Sequence, residues 1–203
     1  MFTGIVSELG TVATQRPVGG GAILTIDAPD TCVGLAVGDS IAVNGVCLTA
    51  IDIGEGYFTV EAVSETLVRT NLGDLGDGSR VDLERPVAAA GGRFDGHVVQ
   101  GHVDGVGTIR SITSEGTSKR VRVSGQSALA RYLVEKGSVT VDGVSLTITA
   151  VSPINDDYPW FDFVLIPHTL DVTVLGLRAV GDRVNLEVDI LAKYVERLME
   201  ARE

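Results

Sequence analysis

The segment Ser40-Ile-Ala-Val-Asn-Gly-Val-Cys-Leu-Thr49 decides the fold, because the chain of 203 residues contains it twice. The second copy, Ser138-Val-Thr-Val-Asp-Gly-Val-Ser-Leu-Thr147, lies 98 residues later and is identical at six positions. In each copy an Asn-Gly or Asp-Gly dipeptide separates two runs rich in β-branched residues. Such dipeptides favour the tight turn of a β-hairpin, since both turn residues tolerate positive φ. The sequence therefore predicts two equivalent hairpins, with turns at Asn44-Gly45 and Asp142-Gly143.

The repeat extends well beyond the hairpin. Residues 65–73 match residues 168–176, and residues 78–84 match residues 181–187, both at an offset of 103. Because the offset grows from 98 to 103, the second copy carries five extra residues, which we place in the turn-rich segment Pro153–Pro159. Copies of about 95 residues predict two similar domains, since the repeats of a solenoid are shorter.

Each copy is rich in short segments that alternate apolar and polar residues, as half-buried strands do. The segments of the first copy and their partners in the second are Ala22–Ile26, Ser40–Asn44, Tyr57–Glu61 and Arg80–Glu84, and Val121–Val123, Ser138–Asp142, Trp160–Val164 and Arg183–Glu187. A Ser cap and helical periodicity predict a short helix over Ser127–Glu135. This pattern indicates an all-β fold with one small closed barrel for each copy.

The C-terminal tail has a different pattern. After Asp189, a candidate N-cap, an apolar stripe recurs at helical spacing and predicts a helix of about four turns; it comprises Leu191, Tyr194, Val195, Leu198 and Met199. This helix either packs on its own barrel or associates with other copies, and we favour association. The chain then divides into a first barrel at residues 1–97, a second barrel at residues 98–187 and a helix at residues 188–203, with the junction within Pro86–Arg93.

Composition excludes several classes of function. The formal net charge is −11, which argues against a nucleic-acid surface and against anchoring on anionic lipid. Apolar runs are far shorter than a membrane-spanning helix requires, and the N-terminus lacks a signal-peptide pattern. The two cysteines, Cys32 and Cys47, cannot form a disulfide framework. We expect a soluble cytoplasmic protein.

Chemistry is expected where matched positions of the two copies differ in kind. The pairs that differ are Ile5 and His102, Gly38 and Lys136, Asn44 and Asp142, Cys47 and Ser145, and Glu65 and His168. We infer one cradle in each copy, similar in shape and different in lining, which suits two similar small molecules in different roles. Cys47 is either a polar contact or nucleophile, or a small buried apolar residue. Ser145 and Thr147 share one strand face, which is directed either at a ligand or at solvent.

The histidines do not indicate a metal site. His97 and His102 would lie on opposite faces of a strand, and no third group of ligands is near them in the sequence. His102 is a candidate acid–base group, with an ordinary surface histidine as the alternative. We find no phosphate-binding loop, serine-hydrolase elbow or zinc-protease motif.

Five motifs in order, together with the duplication, resemble the riboflavin synthase family over essentially the whole chain. They are Met1–Val6, Asn44–Thr49, Gly96–Val103, Asp142–Thr147 and Leu165–Leu170. The resemblance implies two six-stranded Greek-key barrels and a C-terminal amphipathic α-helix that builds a homotrimer. It implies a transferase that converts two molecules of 6,7-dimethyl-8-ribityllumazine into riboflavin and 5-amino-6-ribitylaminouracil by transfer of a four-carbon unit, without cofactor or metal. The active site would lie between the first barrel of one subunit and the second barrel of a neighbour.

The resemblance also implies the site residues. In the first barrel the substrate-binding residues would be Gly4, Ile5, Val6, Cys47, Leu48, Thr49, Glu61, Ala62, Val63, Ser64, Glu65 and Thr66. In the second they would be Gly101, His102, Val103, Lys136, Ser145, Leu146, Thr147, Leu165, Ile166, Pro167, His168, Thr169 and Leu170. Residues implied in activity are Phe2, Ser40, Cys47, His102, Asp142, Ser145, Thr147 and Asp189. Our hypothesis is that Cys47 and Ser40 serve one lumazine, and that His102, Ser145 and Thr147 serve the other.

Three other functions are considered. Some relatives bind lumazine or flavin as an optical antenna without catalysis, but they tend to lose the polar lining that is present here. An oligonucleotide-binding barrel fits small β-barrels in general, but not the acidic composition. A flavin-reductase barrel would need a nucleotide domain for which the chain has no room. The resemblance leaves open an association with lumazine synthase.

Overall fold

The computed structural model describes residues 1–88 and 90–201, and within them each copy forms six strands. The strands of the first copy are β1 Glu8–Val18, β2 Gly21–Asp27, β3 Ser40–Val43, β4 Val46–Ile53, β5 Tyr57–Ala62 and β6 Arg80–Glu84. Those of the second are β7 Gly105–Glu115, β8 Ser118–Ser124, β9 Ser138–Val141, β10 Val144–Val151, β11 Trp160–Leu165 and β12 Arg183–Val188. Each set closes into an antiparallel barrel, in the orders β1-β2-β5-β4-β3-β6 and β7-β8-β11-β10-β9-β12. The prediction of two all-β Greek-key barrels is confirmed.

Three α-helices accompany the barrels: α1 Ser64–Arg69, α2 Pro167–Val172 and α3 Ile190–Glu200. The predicted tail helix is present, with Asp189 capping the Leu191 amide, although its eleven residues make about three turns rather than four. The predicted helix near residue 127 is a 3-10 helix, Ser127–Tyr132, preceded by Gln126 without a side-chain cap, so the predicted Ser cap is wrong. None of the helices in residues 1–88 and 90–201 combines the length and the apolar character that crossing a membrane requires.

Two long strands, β1 and β7, have no counterpart among the predicted segments. Both contain glycines and many polar residues, and both are interrupted by a β-bulge, at Val12/Thr14 and at Ile109/Ser111. A Cβ on Gly107 would lie 2.6 Å from the Val123 side chain, so this glycine lets β7 approach the neighbouring strand closely. The bulge and the glycines break the regular alternation that marks a strand in sequence.

The barrel interiors are filled by the alternate residues of each strand. In the first barrel Leu24 and Ile26 of β2 and Phe58 of β5 are fully buried. In the second barrel Phe161 and Phe163 of β11, the strand equivalent to β5, are fully buried as well. Burying a large apolar side chain of this kind stabilises the fold by about 1.5–3 kcal/mol. The two cores are separate clusters, so each copy has its own hydrophobic core.

The segments that connect the elements differ between the copies. The predicted insertion, Pro153–Pro159, connects β10 to β11. It precedes Trp160, the first residue of β11, and so lies at the opposite end of this strand from Leu165. The barrels are joined by residues 85–104, between β6 and β7, and the predicted border at residues 97 and 98 falls in this connection. Ala89 of the predicted junction, and Arg202 and Glu203 of the predicted tail, lie outside the described residues.

The two hairpin turns meet each other where the barrels join. Asn44 and Asp142 have φ of 46° and 48°, and the following glycines are also left-handed, as the hairpin prediction requires. A Cβ on Gly45 would lie 2.6 Å from the Gly143 nitrogen, and a Cβ on Gly143 would lie 2.7 Å from the Gly45 nitrogen. Equivalent residues therefore touch across an approximate two-fold axis between the barrels.

Buried polar groups surround this contact. Asp142 is fully buried, accepts hydrogen bonds from the Asn71 side chain and the Asn185 amide at 2.7 and 2.8 Å, and pairs with Arg178. In the first barrel Asp82 accepts the Val174 amide of the second at 2.8 Å. Burial raises the pKa of Asp82 well above its usual range, and the nearby Asp142 raises it further. Asp142 thus has partners from both barrels, whereas Asp82 accepts the Val174 amide through Oδ1 and its Oδ2 has no hydrogen-bond partner among the described residues.

We expect Gly45→Ala and Gly143→Ala each to destabilise the fold by about 3 kcal/mol, because a Cβ adds a backbone clash to the strain of positive φ. Equilibrium urea unfolding measures the change. Gly78→Ala, at φ +86° with no atom within 4 Å, should lose only about 1 kcal/mol, and Gly76→Ala, also in open space, close to none. Equal losses at Gly45 and Gly78 would show that the inter-barrel contact contributes nothing.

Candidate active site

The outward faces of β4 and β10 present the residues singled out by the repeat. Leu48 and Leu146 point into the barrels, whereas Cys47 and Thr49 in β4, and Ser145 and Thr147 in β10, lie on the outer face. Ser40 and Ser138 pair with Thr49 and Thr147 in the neighbouring strands. Each barrel therefore offers two polar side chains, spaced two residues apart, on an accessible surface.

A glycine segment from the opposite copy packs on each of these strands. The Ser145 amide donates to the Gly4 carbonyl at 2.7 Å, and the Cys47 amide donates to the Gly101 carbonyl at 2.9 Å. A Cβ on Gly4 or on Gly101 would lie 2.6 Å from the Cβ of Ser145 or of Cys47, and both glycines have φ of +77°. Only glycine allows this approach. The repeat partners Phe2 and Val99 pair with each other beside the crossing.

Because each glycine segment packs on the barrel of the opposite copy, the candidate site residues group differently from the division into two sequence halves. We define the first cradle as Cys47–Thr49 and Glu61–Thr66 of the first barrel with Gly101–Val103. We define the second cradle as Ser145–Thr147, Leu165–Leu170 and Lys136 of the second barrel with Gly4–Val6.

The side chains follow the same grouping. Val103 packs against the core of the first barrel, and Val6 packs against the core of the second. Through its neighbours Gly101 and Val103, His102 belongs to the first cradle, whereas the hypothesis grouped it with Ser145 and Thr147 of the second. The physical reason is the crossing of the chain between barrels, which a one-dimensional alignment does not show.

The far wall of each cradle is the end of a strand and the start of a short helix. Val63 precedes α1 and Ile166 precedes α2; both side chains are exposed, at 59% and 56%. Ala62 and Leu165, one residue earlier, are buried and hold these segments on the barrels. The exposed Glu65 and His168 lie at matching positions in the two helices, so each wall combines an apolar side chain with a polar side chain that differs between the copies.

His97 is a site residue that the sequence arguments missed. Its Nδ1 lies 2.7 Å from Ser145 Oγ, its Nε2 lies 3.3 Å from Thr140 Oγ1, and its amide donates to the Thr3 carbonyl at 3.1 Å. Burial lowers the pKa of His97, an effect that Asp189 partly opposes. The imidazole is therefore neutral near pH 7 and can accept the Ser145 hydroxyl proton. The sequence arguments weighed His97 only as a metal ligand, and no local pattern indicates that it meets Ser145, which lies 48 residues away in sequence.

Lys136 stands in a strained backbone position. Its φ is +67°, and its amide donates to the Ile148 carbonyl just as that of its partner Gly38, at φ +95°, donates to the Ala50 carbonyl. A left-handed conformation disfavours every residue with a Cβ. The second copy thus keeps an exposed ammonium at the edge of its cradle where the first copy has the unstrained glycine.

Three of the residues implied in activity lie outside the two cradles as defined above. Phe2 is fully buried with Ala42 and Val99, in a cluster against which Cys47 packs, so it can only position the site. Asp142 is enclosed in the inter-barrel network and has no access to the cradles. Asp189 caps α3 and acts electrostatically on His97.

The surfaces near the cradles are open. The apolar stripe of α3 is largely exposed, with Leu191, Tyr194, Val195, Leu198 and Met199 at 56–68%. A cavity of about 360 Å³ beside Ile5 is lined by Thr3, Ser7, Glu84 and Arg85 among others.

In the described residues, no group of three or more His, Cys, Asp or Glu side chains could hold a metal ion.

Lys136→Gly should raise the free energy of unfolding by about 0.5–1 kcal/mol, because glycine removes the left-handed strain at the expense of a more flexible unfolded chain. Gly38→Lys, at the matching position with no atom within 4 Å, should lower it by about 1 kcal/mol. Urea unfolding of both variants measures the changes. A loss of stability in Lys136→Gly would mean that the lysine supports the fold and is not retained for the cradle.

Comparison with known proteins agrees with this architecture. The Lumazine binding domain family matches residues 3–86 and again residues 100–189. The chain is similar to riboflavin synthase of Mycobacterium tuberculosis (strain ATCC 25618 / H37Rv), with 52% identity over 202 residues and 99% of both chains covered. It is similar to riboflavin synthase of Bacillus subtilis (strain 168), with 42% identity over 199 residues, 98% of this chain and 90% of the relative.

Solved structures share the fold. LumP complexed with riboflavin superposes with a TM-score of 0.81 at 25% identity, over 93% of this chain and 99% of that one. LumP complexed with 6,7-dimethyl-8-(1'-D-ribityl) lumazine gives 0.78 at 24% identity, over the same shares of the two chains. The family model matches both halves of the chain, and the 52% identity extends over its full length, so the comparisons cover both barrels. The chain belongs to the riboflavin synthase family of duplicated lumazine-binding barrels.

Proposed function

We propose that this chain is a riboflavin-forming transferase. It takes two molecules of 6,7-dimethyl-8-ribityllumazine and moves a four-carbon unit from one to the other, which yields riboflavin and 5-amino-6-ribitylaminouracil. The two products together contain the atoms of the two substrates, so the balance requires no oxidant or reductant. The observation that carries the proposal is the full-length identity of 52% and 42% to riboflavin synthases, together with two intact cradles.

The two cradles suit two copies of one substrate in different roles. Each offers a hydroxyl or thiol on the outer strand face, an apolar side chain on the far wall and a closely packed glycine segment. The polar linings differ, with Cys47 and His102 in the first cradle and Ser145, His97 and Lys136 in the second. Holding two large planar rings in register lowers the entropic part of the barrier, which is where positioning contributes most.

Proton transfer is the chemistry that the linings support. The 7-methyl group of the lumazine is unusually acidic, because its carbanion is delocalised into the ring, so a modest base suffices. In the second cradle neutral His97 can accept the Ser145 hydroxyl proton, and the hydroxyl oxygen then faces the ligand. In the first cradle we assign the acid–base role to His102, which is exposed and follows the Gly101 residue that receives the Cys47 amide. We assign Ser40, Thr49 and Thr147 to ligand contacts.

We further propose that the chain works as a cytoplasmic homotrimer in which the first cradle of one subunit faces the second cradle of a neighbour. The cradles lie on the outer faces of their barrels, and the exposed stripe of α3 needs a partner of its own kind. A site shared between subunits would bring two substrates face to face. Association with lumazine synthase stays open in this proposal.

The test of function is to incubate the purified protein with 6,7-dimethyl-8-ribityllumazine alone and to follow riboflavin by its absorbance. We expect half a mole of riboflavin for each mole of lumazine consumed. Tight binding of the lumazine without conversion would favour the second candidate, a non-catalytic lumazine- or flavin-binding protein, which the ligand-bound LumP structures make worth testing. Absence of both binding and conversion would overturn the proposal.

An oligonucleotide-binding role has less support. Arg120 and Arg122 form a short basic run in β8, but they pair with Glu115 and Asp162 respectively. Phosphate binding requires free cationic groups along a surface, and these two guanidinium groups are already neutralised.

Removal of residues 190–203 should convert the trimer into monomers and abolish most turnover, because each shared site would lose one cradle. Sedimentation velocity measures the mass, and the riboflavin assay measures turnover. Riboflavin binding to the truncated chain, followed by fluorescence, should persist as the control for intact barrels. A truncated monomer with full turnover would contradict the shared site.

A further inference from the structure

Two buried glutamates occupy equivalent places at the ends of the last strands of the barrels. Glu84 ends β6 and is 7% exposed, and Glu187 lies near the end of β12 and is 4% exposed. They match at the offset of 103 that relates the two copies. Neither forms a salt bridge within the described residues, so other groups must compensate the desolvation of each carboxylate.

Backbone amides of the exchanged glycine segments compensate them. Glu84 accepts the Thr3 amide at 2.6 Å, the Thr3 hydroxyl at 2.8 Å and the Gly4 amide at 2.9 Å. Glu187 accepts the Gln100 amide at 2.7 Å, and the amides of Gly101 and His102 face it. Burial raises the pKa of both carboxyls, and these amides oppose the rise.

Each segment so held is the one that completes the cradle of the opposite barrel. Glu84 belongs to the first barrel and holds Thr3 and Gly4, whose carbonyls receive the amides of His97 and Ser145 in the second cradle. Glu187 belongs to the second barrel and holds residues 100–102, with the Gly101 carbonyl receiving the Cys47 amide in the first cradle. Each carboxylate therefore holds a glycine segment. That segment in turn contacts the strand that carries the thiol of Cys47 or the hydroxyl of Ser145.

We propose that Glu84 and Glu187 are positioning residues that act crosswise, with Glu84 setting the geometry of the second cradle and Glu187 that of the first. Both carboxylates are largely buried and act through the glycine segments that they hold. Glu84 accepts three hydrogen bonds from its segment, whereas Glu187 accepts the Gln100 amide through Oε1 and its Oε2 has no hydrogen-bond partner among the described residues. The role of the cradles as substrate sites rests on the function proposed above, whereas the crossed positioning itself does not.

The test compares Glu84→Gln and Glu187→Gln in the full-length protein by hydrogen–deuterium exchange followed at single amides by NMR. The side-chain amide of glutamine places a donor against backbone donors and loses the charge, so it should release the segment while preserving volume. In the free protein we expect Glu84→Gln to speed exchange of the Ser145 amide about tenfold and to leave the Cys47 amide unchanged. Glu187→Gln should speed exchange of the Cys47 amide and leave the Ser145 amide unchanged.

Matched variants separate positioning from general loss of stability. Glu55→Gln, at an exposed turn between β4 and β5, should change neither amide. Glu84→Asp and Glu187→Asp keep the charge and should show the same crossed pattern more weakly, which covers the case in which a glutamine variant does not fold. Faster exchange of both amides in one variant, or of the amide in the glutamate's own barrel, would overturn the proposal.

Riboflavin, added as a probe, tests whether the strands that the two glutamates position are ligand sites. In the unmodified protein we expect it to protect residues 46–49 and 144–147. Glu187→Gln should lose protection only at residues 46–49, and Glu84→Gln only at residues 144–147. If riboflavin protected neither stretch in the unmodified protein, the assignment of the cradles as ligand sites would fail, and the exchange rates without ligand would still decide the crossed positioning.

Discussion

The contact between the two hairpin turns is the constraint on which the arrangement of the barrels depends. Gly45 and Gly143 approach so closely that neither position has room for a Cβ beside the backbone of the other. This proximity brings Asn44, Asp82, Asp142 and Asn185 into one buried network, in which each barrel supplies acceptors for amides of the other. A close backbone contact enclosed by polar groups that are hydrogen-bonded between the barrels favours one relative orientation, because rotation would break bonds such as that from the Val174 amide to Asp82.

That orientation makes the crossing of the glycine segments possible. With the axis fixed between the turns, the N-terminal segment reaches the second barrel and its repeat partner reaches the first, and the pairing of Phe2 with Val99 closes the crossing. Neither cradle is thus built by one copy alone. The two copies are independent in their hydrophobic cores, where each barrel fills its own interior, and interdependent at the surfaces where the ligands are expected to bind.

On this symmetric scaffold the chemistry is asymmetric. The backbone is nearly the same at Cys47 and Ser145, but only Ser145 is joined to a half-buried histidine, and only the second copy keeps a lysine in a left-handed position that its partner fills with glycine. Duplication followed by divergence of the linings supplies two cradles of similar backbone shape with different polar side chains. This combination suits the proposed reaction between two identical molecules in different roles.

Local patterns in the sequence were enough to predict the duplication, the barrel class, the two hairpin turns, the five-residue insertion and the tail helix capped by Asp189, because each depends on residues that repeat or alternate along the chain. The alternation also put Ser145 and Thr147 on one strand face, whereas Cys47 stayed open between a polar contact and a small buried residue. The tertiary structure was needed to assign each glycine segment to its cradle, to bring His97 to Ser145, and to enclose Phe2 and Asp142. These facts depend on the crossing of the chain between barrels, where residues 43 to 141 positions apart in sequence come into contact across the axis. No periodicity encodes such contacts, since they follow from the packing of the two barrels.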